Sequence, residues 1–178
     1  MPIKQKINFL VVEDMVSDSF LLQRQLKKAC EDPEIRFADS QLSLINALKS
    51  YVPDFVLCDF NLNGFDAFDV IEIIKDYNAI IPVIVITGQL KVEESAETLI
   101  EKGASGFFLK DPMDQLHEKL EPLFVRLLEE KKDALLKISK QRVETDSYHK
   151  NSDYFRQHGA KGEKKPGIIN YFKRLFSR

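Results

Sequence analysis

The sequence contains few of the residues that mark special classes of protein. Its 178 residues include no tryptophan, two cysteines, three histidines, seven glycines and seven prolines. Cys30 and Cys58 are too few for a disulfide framework or a cysteine-ligated zinc cluster, and we interpret both as small buried apolar residues. No apolar run approaches the roughly 18 residues of a membrane-spanning helix, and the start lacks the basic, apolar and small-residue order of a signal peptide. We therefore expect a cytoplasmic chain.

The composition is that of a globular protein, but its charge is unevenly distributed. Hydrophobic residues make up 44% of the chain, which excludes wholesale disorder and collagen-like repeats. The formal net charge is −2. Up to residue 145 there are 18 basic and 25 acidic side chains, a net charge of −7, whereas residues 146–178 carry 8 and 3, a net charge of +5. An acidic body and a basic tail need separate explanations.

Short apolar runs alternate strictly with amphipathic stretches up to about residue 128, a pattern typical of a parallel sheet covered by helices. We expect strands at Ile7–Val12, Ile35–Ala38, Phe55–Cys58, Val83–Ile86 and Gly106–Leu109. We expect helices at about Asp18–Cys30, Leu42–Lys49, Phe65–Tyr77, Glu93–Lys102 and from Asp114 onward, with Gly103 as a left-handed cap. The predicted fold is α/β, with a doubly wound five-stranded parallel sheet. Such sheets bind ligands outside the carboxyl ends of their strands.

Polar side chains follow four of the predicted strands. Glu13 and Asp14 come after the first, Asp59 after the third, Thr87 at the end of the fourth and Lys110 after the fifth. Carboxylates this close repel one another unless a cation or a lysine lies among them. Oxygen ligands in an open site suit a hard divalent ion, so this pattern predicts Mg²⁺.

These motifs resemble the receiver domain of bacterial two-component response regulators, the CheY-like superfamily. The resemblance covers roughly residues 5–128, and its order and spacing make it specific. It is carried by Val11–Asp14, Pro53–Leu62, Pro82–Gly88 and Gly103–Lys110. It implies a flavodoxin-like sheet with strand order 2-1-3-4-5.

The resemblance also implies roles for individual residues. Asp59 would be the phosphoacceptor, attacking the phosphoryl group of a phosphohistidine on a partner kinase or phosphotransfer protein. Mg²⁺ would be held by Glu13, Asp14, Asp59 and the main-chain carbonyl of Asn61. Lys110 would neutralise the phosphoryl charge, and the hydroxyl of Thr87 would donate to a phosphoryl oxygen.

Further implied roles concern switching and the lifetime of the acyl phosphate. Thr87 would couple to an aromatic ring, here Phe107, while Asn61 and Gln89 would tune the lifetime. Many receivers have proline directly after the lysine, joined by a cis bond, whereas here Asp111 precedes Pro112. The loop is therefore expected to take another course, which affects the reach of Lys110.

Each residue alone also has an ordinary explanation. Carboxylates at strand ends often cap a turn or the next helix, threonine is a common strand residue, and an isolated lysine is usually solvated. An aromatic residue in a strand, such as Phe107, is usually part of the core. A phosphatase-type enzyme is disfavoured because its nucleophile would lie in an Asp-x-Asp loop after the first strand, where this chain has Glu13 and Asp14.

The chain divides by sequence into a receiver domain at 1–128, an extended helix at 129–145 and a basic flexible tail at 146–178. The extended helix would continue the last receiver helix through Leu135 to Ile138, with a kink or break near Pro122. Its interrupted heptad pattern favours a solvated helix over a coiled coil that forms a homodimer.

The tail ends in a short amphipathic pattern whose apolar residues would share one helical face: Ile168, Ile169, Phe172, Leu175 and Phe176. It could bind an anionic membrane, which would make the protein peripheral there, or a groove on a partner, or its own acidic domain. A frayed tail is the remaining alternative. Nucleic acid ranks last, because no helix-turn-helix fits.

The leading hypothesis is a phosphoacceptor signalling protein without an enzymatic or DNA-binding output domain, whose output is protein–protein interaction with an unknown downstream partner. It would catalyse only its own phosphotransfer and dephosphorylation. The rival hypothesis is a receiver-fold scaffold or membrane-associated adaptor that works without phosphorylation through its C-terminal tail.

Overall fold

A five-stranded parallel sheet forms the centre of the protein. The computed structural model describes residues 1–88, 93–134, 136–138 and 140–146. The strands are β1 (Ile7–Val12), β2 (Pro33–Ala38), β3 (Phe55–Cys58), β4 (Val83–Thr87) and β5 (Gly106–Leu109). Their spatial order is β2-β1-β3-β4-β5, with every neighbouring pair parallel. The predicted fold class and the strand order 2-1-3-4-5 are confirmed.

Five helices cover the two faces of the sheet: α1 (Val16–Ala29), α2 (Gln41–Ser50), α3 (Ala67–Asn78), α4 (Glu93–Lys102) and α5 (Leu116–Glu130). A 3₁₀ turn at Met113–Gln115 precedes α5. A short antiparallel pair, Asn61–Leu62 with Phe65–Asp66, follows β3. Ser40 and Asp66 begin α2 and α3 through capping boxes: the Ser40 side chain accepts one backbone N–H of the first turn, and the Asp66 side chain accepts two.

The core has one layer on each face of the sheet, because the central strands are buried on both sides. All six residues of β1 are buried, and its side chains alternate between the two layers. On the face covered by α1 and α5, the rings of Phe9, Phe55 and Phe124 pack with centroids 4.9–5.8 Å apart. Both cysteines are unpaired and buried, as predicted, and burial raises the pKa of each thiol.

The register of the sheet brings the ends of the strands to one level. Val12 pairs with both Ala38 and Cys58, so β1, β2 and β3 end side by side. The backbone N–H of Asp59 continues this alignment by donating to the carbonyl of Val12 at 3.0 Å. The residues that follow β1 and β3 are therefore neighbours in space.

Gly103 ends α4 in the left-handed conformation that the sequence predicted. Its φ is +110°, and its N–H donates to the carbonyls of Leu99 and Ile100. Glycine suits this position because it has no Cβ to oppose a positive φ.

The last helix is shorter than the sequence predicted. A single helix was expected from Asp114 past Ile138, but α5 ends at Glu130 and Lys131 forms a turn. Pro122 was expected to kink or break this helix; the break near Glu121 does not occur, because the proline lies inside α5. Buried residues on both sides of the proline, including Leu120, outweigh its cost of about 3 kcal/mol because they fix the helix against the sheet.

After the turn, residues 132–134, 136–138 and 140–146 are helical and are called here the C-terminal helical segment. This segment is exposed along much of its length, but it is not solvated on every side, because Ile138 is fully buried in the core layer on the α2 and α3 side. Arg142 donates to the carbonyl of Val52 at 2.9 and 3.1 Å and to the carboxylate of Asp54 at 2.9 Å. The segment therefore packs against the domain.

All but the first residue of the tail predicted at 146–178, including its amphipathic end, lies outside the described residues. In the part of the chain that the structure describes, no helix combines the length and the apolar character needed to cross a bilayer.

Candidate functional site

Three carboxylates lie at the carboxyl edge of the sheet. Glu13 directly follows β1 and is buried, and its Oε1 accepts the N–H of Met15 at 3.1 Å. Asp59 directly follows β3, and its Oδ1 accepts the N–H of Phe60 at 2.8 Å. Glu13, Asp14 and Asp59 each have an oxygen within 4.8 Å of the others, and this set is called here the carboxylate trio. An all-oxygen donor set of this spacing fits a hard divalent cation such as Mg²⁺.

Lys110 directly follows β5 and lies beside the trio. Its Nζ lies 2.7 Å from an oxygen of Glu13 and 3.3 Å from Oδ2 of Asp59. Its backbone N–H donates to the carbonyl of Thr87 at 2.8 Å, which ties the lysine to the end of β4. The buried position directs the ammonium at the carboxylates, so the sheet itself places a positive charge beside Asp59.

The electrostatics of the site reflect burial and mutual repulsion. Burial raises the pKa of Asp59 and of Glu13 above their ordinary values, although the charge and hydrogen bond of Lys110 oppose the increase for both. For Lys110, burial alone would lower the pKa, but hydrogen bonds to Asp18 and Glu13 and the charge of Asp59 together raise it. The ammonium is therefore charged at neutral pH.

Asp18 also belongs to this site, although the sequence analysis did not identify it. Its Oδ2 lies 2.7 Å from Nζ of Lys110. The residue lies in the first turn of α1, not directly after a strand. The rule that ligands bind at strand ends therefore did not lead to Asp18. The sequence carries no clear signal for it, because Asp18 lies within a helix and only its contact with Lys110 shows that it belongs to the site.

The other predicted residues occupy several different environments. Thr87 is buried at the end of β4. Phe107 is half-buried and packs against the core layer on the α2 and α3 side. Asn61 is exposed in the short antiparallel pair, and Gln89 lies outside the described residues. The sequence predicted that Asp111 would change the course of the loop after Lys110. The cis bond lies one residue later than in many receivers, at Asp111–Pro112, and Lys110 still reaches Asp59.

Comparison with known proteins agrees with this geometry. Residues 9–121 match the family model of the response regulator receiver domain. The chain belongs to this family. Receiver domains bind Mg²⁺ at an acidic pocket and interact with histidine kinases or phosphotransfer proteins, and they are signalling proteins more than enzymes.

Curated relatives include longer regulators. The receiver domain is 32% identical over 120 residues to the transcriptional regulatory protein ZraR of Salmonella typhimurium, a match that covers 67% of this chain and 26% of the relative. It is 29% identical over 110 residues to ZraR of Klebsiella oxytoca, covering 62% of this chain and 24% of the relative. The chain thus matches about a quarter of the length of these relatives.

Solved structures show the same fold. NtrX from Brucella abortus, crystallised with ADP, aligns at a TM-score of 0.64 and 28% identity, over 78% of this chain and 30% of that one. The Mn²⁺-bound form of the response regulator Rcp1 aligns at a TM-score of 0.56 and 25% identity, over 66% of this chain and 91% of that one.

Proposed function

We propose that this receiver domain accepts a phosphoryl group on Asp59 from a histidine kinase or a phosphotransfer protein. The observation that carries the proposal is the carboxylate trio with the Lys110 ammonium 3.3 Å from Asp59, at the carboxyl edge of a receiver fold. Asp59 is half-buried, and a backbone N–H holds one of its oxygens, which leaves the other oxygen directed toward the lysine.

The trio and the main-chain carbonyl of Asn61 are the proposed ligands of Mg²⁺. The donor set supports this assignment because it consists of oxygens alone. The related Rcp1 structure was solved with Mn²⁺, another divalent ion, and also supports it. When bound, magnesium supplies positive charge that offsets the negative charge of the carboxylates and of the incoming phosphoryl group.

The transfer itself requires one bond to form and one to break. A carboxylate oxygen of Asp59 attacks phosphorus, and the bond between phosphorus and the donor nitrogen breaks with its electron pair remaining on the imidazole. Lys110 stabilises the negative charge that spreads over the phosphoryl oxygens, which is the kind of preorganised electrostatic support that lowers such barriers.

The remaining assignments concern the phosphorylated state. Thr87 donates its hydroxyl to a phosphoryl oxygen, and Phe107 changes its position in response, which alters the surface near β5. Asn61 and Gln89 tune the lifetime of the acyl phosphate. The location of Thr87 at the end of β4, bonded through its carbonyl to the backbone of Lys110, supports its part in this scheme.

A direct test is incubation of the full chain with Mg²⁺ and a small phosphodonor, followed by intact-mass spectrometry. The protein should gain the mass of one phosphate, and chelation of the metal should prevent the gain. Asp59→Asn should abolish it, whereas Asp76→Asn, an exposed aspartate on α3, should not. A gain of phosphate that survives Asp59→Asn would refute the assignment.

The alternative is a scaffold or adaptor that keeps the receiver fold and signals through its C-terminal tail. It predicts no mass gain and no stabilisation by Mg²⁺, with partner binding unchanged by Asp59→Asn. In either case we propose that the output is protein–protein interaction. A pull-down with phosphorylated and unphosphorylated protein distinguishes the two proposals, because only the first predicts partners that depend on phosphate.

A further inference from the structure

Asp18 is a fourth carboxylate at the site, and it differs from the other three. Its Oδ2 contacts Nζ of Lys110 at 2.7 Å, as closely as Glu13 does. However, it is not part of the carboxylate trio, which is the one group of metal-capable residues among those that the structure describes. Its negative charge therefore remains available to the lysine when a cation binds the trio.

The number of carboxylates around Lys110 makes the charge of Asp18 important. An ammonium group has three N–H donors, and three carboxylates surround this one: Glu13, Asp18 and Asp59. Two of these three are members of the trio. A divalent cation on their oxygens would repel the ammonium and compete with it for those oxygens. Asp18 is then the remaining carboxylate among the observed partners of Lys110.

Asp18 is also well placed to hold the lysine still. It lies in the first turn of α1, a helix whose later turns pack against α5 and the sheet. The hydroxyl of Ser17 donates to its Oδ1 at 3.3 Å, which leaves Oδ2 for Lys110. The position of Lys110 is therefore fixed by α1 as well as by β5, the strand that it follows.

We propose that Asp18 is a positioning residue for Lys110: it keeps the ammonium beside Asp59 after a cation has occupied the carboxylate trio. The proposal deepens the proposed function and rests on phosphorylation of Asp59. Asp18 touches neither the phosphoryl group nor the metal, and it acts through the lysine.

The test measures phosphorylation of the full chain by a small phosphodonor at saturating Mg²⁺, with saturation established for each variant. Asp18→Asn keeps the size of the side chain and removes its charge. We expect phosphorylation to become about tenfold slower, because small displacements of a charged group at a reacting centre change rates by one or two orders of magnitude. In a Lys110→Ala background, the same substitution should change the rate less than about twofold, because its target is missing.

A matched control is Glu118→Gln, which removes an exposed acidic side chain from the first turn of α5 and should leave the rate unchanged. Lys110→Met replaces Lys110→Ala if the latter does not fold. An unchanged rate for Asp18→Asn, or equal slowing in both backgrounds, would overturn the proposal. If the wild-type chain itself gains no phosphate on Asp59, the proposed function fails instead, so the two failures are distinguishable.

Discussion

The charged carboxylate of Asp59 destabilises the folded protein, because it is largely buried beside two other carboxylates. Burial raises its pKa, so the charged form is less favourable in the fold than in an unfolded chain. The charge and hydrogen bond of Lys110 offset part of this destabilisation. Such a site favours function over stability, a relation common at functional centres.

This destabilisation predicts that Asp59→Asn stabilises the metal-free protein at neutral pH. The melting temperature should rise by a few degrees, since 1 kcal/mol corresponds to about 2–4 °C in a chain of this size. The difference should shrink as the pH falls toward 3.8, the ordinary value for aspartate, because below it the carboxylate is protonated in both folded and unfolded protein. Thermal melts of both proteins from pH 4 to 7 provide the measurement. A lower melting temperature for Asp59→Asn at pH 7 would contradict the prediction.

The trio and Lys110 could be predicted from sequence because each residue lies within two positions of the end of a strand, and parallel strands bring their carboxyl ends together. Asp18 could not be found by that rule, because it lies in a helix. Only the three-dimensional contact with Lys110, 92 residues away, shows its place.

At the scale of elements, the C-terminal helical segment is the feature that sequence periodicity described least well. The apolar spacing predicted a helix but could not identify the surface that Ile138 meets. That surface is formed by the core layer and by Val52 and Asp54, which Arg142 contacts across 90 and 88 residues. By contrast, the strands were predictable because their apolar runs are short and, in β3, β4 and β5, nearly continuous.

The buried isoleucine predicts a specific loss of stability. Ile138→Ala should lower the free energy of unfolding by about 2–5 kcal/mol, because it leaves a cavity in the core layer. Leu136→Ala, in the same segment but 58% exposed, should change it by less than about 0.5 kcal/mol. Urea unfolding of the two variants compares them directly. Equal effects would show that the segment does not pack as described.

The contacts of Arg142 predict a second loss of stability. Arg142→Ala should cost about 1.5–3 kcal/mol, the range for hydrogen bonds to charged groups, because it leaves Asp54 without its cation. Arg126→Ala is the matched control: its pair with Glu130 is 61% exposed at the arginine and should contribute less than about 1 kcal/mol. The same urea unfolding measures both. A cost for Arg142→Ala no greater than the control would count against the packing of this segment.

At the scale of the whole molecule, we propose that the acidic body and the basic tail have separate functions. Part of the −7 charge of residues 1–145 is the carboxylate trio, which we propose requires Mg²⁺. Residues 146–178 carry a net charge of +5, and none of the proposed site residues lies among them. The composition shows only a nearly balanced net charge. The acidic body and the basic tail become visible when the charges are counted along the chain.

The tail carries its own prediction. Vesicles that contain anionic lipid should bind the full chain more strongly than a chain ending at Lys165, because the truncation removes three basic residues and the apolar residues of the amphipathic pattern. Added salt should reduce the difference. Vesicles of neutral lipid are the control, and sedimentation measures the bound fraction. Equal binding of both chains to anionic vesicles would eliminate the membrane proposal.

The central claim is that Asp59 accepts the phosphoryl group. Its most direct test is peptide mapping by tandem mass spectrometry after the full chain has reacted with Mg²⁺ and a small phosphodonor. We predict that the modification lies on Asp59 and on no other residue of that peptide, and that it is absent when the metal is chelated. Modification on another residue, or an unmodified Asp59 under saturating Mg²⁺ and phosphodonor, would contradict the account.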